Sequence, residues 1–553
     1  MNIRAWFRSG DPWIWLNAGA VAMSFVMVAG LLFLIAARGL GHFWPRDVVS
    51  VEYLQPDGQV VTLLGEIVDS ETVRERLFDA AGYDEMDVDD RLITRDLLRT
   101  GNRDVTGNDF RWIARPAVKS TSRPADALVL ERREWGNFYG YLEAVLEDGA
   151  VVAEGEAARA AMRDRLARAL DLHHQVEELE GGELRSINYR LEQLRLEERR
   201  MMLEGDVSVE AVADIEAERA ELNARYETLE AQLASLYERA SRDAVRLSTS
   251  GGRDVTVSLD NVVRAYRPNR MDVFDKLGFY AAKAWEFVSD QPREANTEGG
   301  IFPAIFGTVL MVLLMTIFVT PFGVIAAVYL REYARQGVLV RTIRVAVNNL
   351  AGVPSIVYGV FGLGFFIYAL GGTIDQLFYP EALPAPTFGT GGLFWASLTM
   401  ALLTLPVVIV STEEGLARIP REIREGSLAL GATRAETLWR TVLPMASPAM
   451  MTGVILAVAR AAGEVAPLML VGVVKLAPTL PLDGNFPYLH LERKFMHLGF
   501  HIYDVGFQSP NVEAARPLVY ATSLLLVVII IVLNLVAISI RNRLREKYRA
   551  LET

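Results

Sequence analysis

The sequence predicts an all-α polytopic membrane protein of six spanning helices, interrupted after the first by a large water-facing α+β insert. Three observations carry that prediction. The chain of 553 residues is 51% hydrophobic yet 22% charged, with the two properties segregated along it. Runs of roughly 20 apolar residues, enough to cross the hydrocarbon of a bilayer, recur along it. Arginines gather beside alternate ends of those runs, as they do on the cytoplasmic side of membrane proteins.

Five runs have the length and polarity of a span: 14–37, 302–330, 393–412, 444–474 and 518–540. A sixth, 347–370 ("VNNLAGVPSIVYGVFGLGFFIYAL"), is rich in Gly and Pro, which membrane helices tolerate because neighbouring helices re-satisfy the freed backbone groups. Arg4 and Arg8 precede the first span. Arg331, Arg335, Arg341 and Arg344 lie between the second and third. Arg418, Arg421, Arg424, Arg434 and Arg440 lie between the fourth and fifth, and Arg541, Arg543, Arg545, Lys547 and Arg549 follow the sixth. The 371–392 loop holds Asp375 and Glu381 and no Lys or Arg. Odd-numbered crossings therefore run outward, and both termini are expected to be cytoplasmic. The small residues of "LIAARG" also suit a cleaved signal peptide, but the apolar run exceeds a usual h-region, so an uncleaved anchor at 1–37 is expected.

Residues 38–300 are soluble in character and fall outside. "VVSVEYLQPDGQVVTLLGEI" places an Asp57-Gly58 turn between two alternating runs, a hairpin signal. "RDVTVSLDNVVRAYRP" supplies a second β-like pair. The 151–245 window between them is helical in pattern, with 22 acidic and 13 basic residues, a net −9 of the chain's −12. Ile187, Leu191, Leu194 and Met201 form one heptad seam; Ile215, Leu222, Tyr226, Leu229, Leu233 and Leu236 form another. "EGDVS" (204–208) separates them with a helix stop and a Ser208 N-cap. These features predict a helical hairpin projecting from a small α/β base, its charges read as solvated helix faces. A docking surface for an outer partner is the functional alternative. His173 and His174 are adjacent, so they point to different helix faces and no metal site is expected.

Composition excludes several functions. With no cysteine, disulfides and thiolate metal sites are absent. A net charge of −12 argues against general nucleic-acid binding. The chain has no G-x-x-x-x-G-K-[ST] loop, and no Lys follows a Gly, so it does not bind ATP by that device and no cofactor is expected.

The loop 413–443 reads as two short amphipathic helices joined by a bend. Ile419, Ile423 and Leu430 share one face; Ala435, Leu438, Trp439 and Val442 share another. Gly431 can take the positive φ of the bend, and Pro444 marks the start of the next membrane helix. Such a rigid knob suits transmission of force from a cytoplasmic partner. In the fifth span Arg460 and Glu464 stand four residues apart, share a helix face and can pair. Ionisable groups in a span cost about 2.5–3.5 kcal/mol each on insertion scales and usually face a cavity or partner.

Here a resemblance becomes specific. Glu425, Gly431, Leu443 and Pro444 have the spacing of the "EAA" motif of binding-protein-dependent ABC importer permeases, departing from it at Gly426-Ser427 and Thr441. "TPFGVIAAVYLREYA" (320–334), "NLAGVPSIVYGVFGLG" (349–364) and "ILAVARAAGEVAPLMLVG" (455–472) resemble phosphate-importer permeases of the A type, with Val465 where Thr is usual. The resemblance covers 301–545. It implies a type I ABC importer permease core over 301–540 with a cytoplasmic tail at 541–553, and a bacterial inner-membrane location. It further implies that Glu425, Gly431, Ala432, Leu443 and Pro444 belong to the element docking on an ATPase, and that the chain itself is no enzyme. Its partners would be a second, C-type permease, an ATPase dimer and an extracytoplasmic phosphate-binding protein. Arg460 would meet the anion or form a gate pair, with Glu464 controlling it; a structural salt bridge is the plainer alternative. A permease for molybdate or sulfate, and a membrane-anchored sensor or scaffold, are the rival functions.

Overall fold

The computed structural model describes residues 9–55, 57–74, 92–205, 207–509 and 512–549. Arg4, Arg8, Asp206 and the last four residues of the tail lie outside these. Among the described residues, six helices are long and apolar enough to cross a membrane: Pro12–Phe43, Phe302–Tyr333, Ser355–Phe378, Leu393–Ala417, Arg434–Gly463 and Ala515–Lys547.

The first helix, α1 (Asp11–Leu40), carries no charge between Asp11 and Arg38 and is exposed along most of its length. After it come strands β1 (Val48–Leu54), β2 (Val60–Arg74), β3 (Leu92–Arg99), β4 (Phe110–Ala114) and β5 (Val118–Ser122), which form a sheet of order β4-β3-β2-β1-β5 among the described residues. β1 and β2 pair antiparallel, Leu54 opposite Val60 across the Asp57-Gly58 turn. β6 (Leu128–Arg132), β7 (Phe138–Glu147), β8 (Ala150–Glu154), β9 (Asp243–Ser248), β10 (Asp254–Ser258) and β11 (Val262–Tyr266) form a second sheet, in which β10 pairs with β9 and β11 with β6. β10 and β11 therefore lie at opposite edges and are not a pair. A three-residue helical turn, Leu259–Asn261, separates them and carries the chain from one edge of the sheet to the other.

Between β8 and β9 the chain leaves as α2 (Gly155–Leu179), continues through a π-helical turn at Glu180–Leu184 into α3 (Arg185–Glu204), and returns as α4 (Val209–Ser241). Ser208 caps α4, its hydroxyl accepting from the Ala211 amide at 3.0 Å. Ala158, Met162, Leu166 and Ala169 at the root of α2 pack into the second sheet with Leu130, Phe138 and Val245. Ile187, Leu191, Leu222, Leu229 and Leu233 zip the arms together further out. The hairpin does not project free. Its distal part lies on loops of the membrane bundle, where Arg200 pairs with Glu381 and the Tyr189 hydroxyl donates to the Phe486 carbonyl at 2.7 Å.

A further helix, α5 (Val273–Ser289), carries the chain from the sheets to the bundle. Glu131 on β6 accepts from Lys283 and, at 2.8 Å, from Arg293; Glu286 pairs with Arg264 and Arg293. Glu131, Lys283 and Glu286 line a cavity of about 350 Å³ between the sheets and the bundle. Hydropathy patterning carries no signal for such a junction, because its partners are drawn from segments far apart in the chain.

In the bundle, α6 (Phe302–Val328) and α9 (Leu393–Ala417) form the centre, with Met311, Met315, Val319, Trp395, Met400 and Val408 in one apolar cluster. The predicted span 347–370 is displaced. A separate amphipathic helix, α7 (Val338–Leu350), ends at Ala351–Pro354, and the spanning helix α8 begins at Ser355 and runs to Phe378. Proline disfavours helical geometry in the residue before it, so the break falls at Val353-Pro354. The fifth spanning helix, α11 (Arg434–Gly463), packs beside α9; a Cβ on Gly453 would fall 2.7 Å from the Ser411 side chain, so only a hydrogen lets the two backbones approach. The last helix, α12 (Val512–Arg549), packs against α11 and α1.

Candidate functional site

The loop between α9 and α11 is an elbow of definite construction. Pro420 stops the chain from continuing α9, and a nine-residue helix, α10 (Arg421–Ala429), follows. Gly431 then adopts φ 88°, and its amide donates to the Leu428 carbonyl at 3.0 Å, which turns the chain back. Thr433 begins α11 with a capping box: its hydroxyl accepts from the Glu436 amide at 3.2 Å, and the Glu436 carboxylate accepts from the Thr433 amide at 2.9 Å.

Two of the expected faces split. Ile419 is buried with Val328, Leu416, Leu438 and Val442, while Leu430 is 91% exposed and Trp439 71% exposed. Leu430 follows α10 beside the Gly431 bend, so the periodicity that placed it with Ile419 no longer applies. The second predicted short helix is likewise the first turn of the membrane helix. Pro444 lies inside α11 and does not begin it. The preceding residues Leu438–Val442 form a π turn, which accommodates a residue that lacks the amide of a regular helical bond.

The elbow is fastened to the bundle by residues that patterning did not single out. Arg424 Nη2 lies 2.9 Å from Glu332 Oε1 at the end of the second span and donates to the Leu416 carbonyl at 2.8 Å. Ser427 and Thr437 share a hydroxyl hydrogen bond of 2.9 Å, and Arg344 pairs with Glu413 at 3.1 Å. Glu425, Leu428, Leu430 and Trp439 are left on the outer surface of this braced loop, and Glu425 makes no ion pair among the described residues. Leu443 and Ala432 are half-buried beneath it. The loop can present a charged and apolar knob without deforming.

Arg460 and Glu464 stand at the far end of the same helix, about 39 Å from Arg434 at the α-helical rise. They do not share a helical face. α11 ends at Gly463, and Glu464 follows with φ −81°, ψ 140°. The two still approach, Nε to Oε1 at 3.6 Å, an ion pair longer than a hydrogen bond. Arg460 occupies the last turn, where a cation also complements the carbonyl end of the helix. Both side chains are partly exposed, at 32% and 23%.

His173 and His174 each face a glutamate one turn on, Glu177 at 3.1 Å and Glu178 at 3.4 Å. Among the described residues no group of three or more His, Asp or Glu could hold a metal ion.

The model of the binding-protein-dependent transport system inner membrane component family matches residues 319–550. The phosphate transport system permease protein PstA of Mycobacterium leprae is 38% identical over 218 residues, 39% of this chain and 66% of that one. PstA 1 of Mycobacterium tuberculosis (strain CDC 1551 / Oshkosh) is 35% identical over 247 residues, 44% of this chain and 71% of that one. The probable PstA of Methanocaldococcus jannaschii is 30% identical over 221 residues, 39% and 67% of the two chains. Among solved structures, a chain of the MetNI methionine ABC transporter in an inward-facing conformation aligns with 18% identity and a TM-score of 0.32, covering 44% of this chain and 93% of that one.

Proposed function

The chain belongs to the binding-protein-dependent transport system inner membrane component family, and on that premise we propose that it is the A-type permease of an ATP-driven phosphate importer. The observation that carries the proposal is mechanical. One unbroken helical run, Arg434–Gly463, joins the exposed elbow to the Arg460–Glu464 pair. Movement of the elbow is thereby carried along this run, through the π turn at Leu438–Val442 and past Pro448, to its charged end.

In this reading residues 38–300 face the extracytoplasmic side, both termini are cytoplasmic, and 413–443 docks on a PstB-like ATPase dimer. Leu428, Leu430 and Trp439 supply the apolar contact and Glu425 the charged one, around the turn at Gly431 and Ala432 and the helix that continues through Leu443 and Pro444. A PstC-like permease completes the path, and a PstS-like protein delivers phosphate to its outer end. Arg460 offers a planar fork of donors that matches a tetrahedral oxyanion. Glu464, tethered beside it but outside the helix, competes for that fork and is displaced when an anion arrives. Names of the matched relatives support phosphate as the cargo.

The test is uptake of labelled phosphate by the complex reconstituted in proteoliposomes, driven by enclosed ATP, with sulfate and molybdate as competitors. Uptake blocked by unlabelled phosphate alone supports the reading. Uptake blocked by either competitor at equal concentration reassigns the cargo, and failure to co-purify with an ATPase and a second permease removes the transport reading altogether.

A further inference from the structure

Ser186, Tyr189 and Arg200 on α3 fall within about 60° of one another at 100° per residue, away from the Ile187–Leu194 seam that binds α4. All three reach the membrane core, and at two different loops. Arg200 meets Glu381 in the segment between the third and fourth spans; that carboxylate is buried, at 2% exposure. Ser186 lies 3.3 Å from Asn485, the Tyr189 hydroxyl donates to the Phe486 carbonyl at 2.7 Å, and the Tyr189 ring packs edge-on to His490 at 5.7 Å, all between the fifth and sixth spans. The two contact points are 11 to 14 residues apart on one helix, about 16–21 Å.

That helix is stiffened. Arg190 bridges to Glu218 at 2.7 Å, Arg219 to Glu198 at 2.5 Å and Arg225 to Glu183 at 2.7 Å, across the two arms of the hairpin. The attachments differ in kind along its length. At the root an apolar cluster shared with the second sheet fixes the hairpin permanently. At the distal end no apolar cluster joins hairpin to core among the described residues, and the contacts are polar and mostly at the surface. A stiff bar fixed at one end and held by breakable bonds at the other is a clamp.

We propose that the hairpin is a clamp across the outer mouth of the core. It holds the loop before the fourth span and the loop before the sixth at one separation, and the outer mouth opens only when Arg200 leaves Glu381. The proposal rests on reading the core as an alternating-access permease. His490 is a secondary part of the seat: its ring nitrogens contact Asp483 at 3.0 Å and Glu492 at 3.2 Å, and Arg493 fixes Asp483 at 2.6 Å, so the second loop presents a preformed surface to Tyr189.

The chain has no cysteine, so the clamp can be locked. In the reconstituted complex carrying Arg200→Cys and Glu381→Cys, oxidation is expected to abolish phosphate uptake and ATP-driven turnover, and dithiothreitol to restore both. Uptake that persists when a non-reducing gel shows complete cross-linking overturns the proposal, because the hairpin then stays seated throughout the cycle. A second measurement does not depend on the cargo. Spin labels at Arg199→Cys and Ala385→Cys, both exposed positions, are expected to give one distance in the resting complex and a longer second one after trapping with ATP and vanadate. A single unchanged distance also overturns the clamp. A change in distance without phosphate uptake instead leaves the clamp standing and rejects phosphate as the cargo.

Discussion

Arg424 and Glu332 pair at 2.9 Å across 92 positions of sequence, tying the elbow helix to the end of the second span. The contact is half-shielded on both sides, with side-chain exposures of 21% each, and Arg424 also donates to the Leu416 carbonyl. It stiffens the one part of the proposed drive train that is not a continuous helix. Arg424→Gln should leave insertion and assembly intact, lower stability by about 1 kcal/mol, and raise ATP hydrolysis relative to phosphate transported. Unchanged coupling in proteoliposomes would show that the elbow needs no brace.

The turn at Gly431 admits a sharper test. A residue with a Cβ is strained at φ 88° by about 1–2 kcal/mol. Proline cannot reach that angle at all, and it removes the amide that bonds Leu428. Gly431→Pro and Glu425→Lys are each expected to give inserted protein that no longer couples ATP hydrolysis to uptake. Glu425→Lys acts through charge at an exposed position with no ion-pair partner among the described residues, so normal uptake with both changes would remove the loop from the transmission path.

The proposed membrane topology rests on the arginine distribution and admits a direct test. Ser235→Cys on the hairpin is expected to react with an impermeant maleimide in intact cells, and a cysteine at Ala435 only after permeabilisation. The reverse pattern would invert the whole orientation and put the elbow on the wrong side for an ATPase.

The junction between the sheets and the bundle gives a pH-dependent prediction. Burial opposes the charge of Glu131, but Lys283 and Arg293 beside it prevail and hold its carboxyl at about 2, against an ordinary 4.5. A depressed carboxylate contributes stability above its unfolded pKa and loses it as pH falls through the folded one. Glu131→Gln, which leaves two cations facing an amide, should therefore cost about 3 kcal/mol near neutrality. The gap in thermal stability between wild type and variant should stay full above pH 4.5 and close as pH falls towards 2. A pH-independent gap would mean that the loss is one of packing.

What was legible in the sequence divides by the range of the interactions. The spans could be read because transfer of 20 apolar residues into lipid is a local sum, and the β1–β2 hairpin because its turn and alternation are local too. The start of α11 carries a local signal too, the Thr433…Glu436 capping pair, although the apolar run places that start ten residues later, at Pro444. β10 and β11 were read as partners because they are neighbours in the chain, but sheet order is decided by residues far away on β6 and β9. Neither the Arg424–Glu332 brace nor the seat of Tyr189 on Phe486 leaves any periodic trace. Helix termination at Gly463 was equally hidden, since an apolar run continues past it to Val474.

That termination sets the geometry of the Arg460–Glu464 pair. If α11 had continued, Arg460 and Glu464 would be stacked on one face and locked together. With Glu464 beyond the break, the pair stands at 3.6 Å and each side chain keeps part of its surface open. Arg460 then has two roles that mutation separates. As a cation at the carbonyl end of a helix it contributes about 0.3–1 kcal/mol to stability, which Lys would largely preserve. As a fork for an oxyanion it acts through paired donors that Lys cannot reproduce. Arg460→Gln is expected to lower uptake about 100-fold, the loss of a charge-assisted contact worth roughly 3 kcal/mol, while the complex still assembles and still docks its binding protein. Arg460→Lys should restore thermal stability but little of the uptake. If Lys restores both, the residue serves the helix end and the anion is held elsewhere along the path.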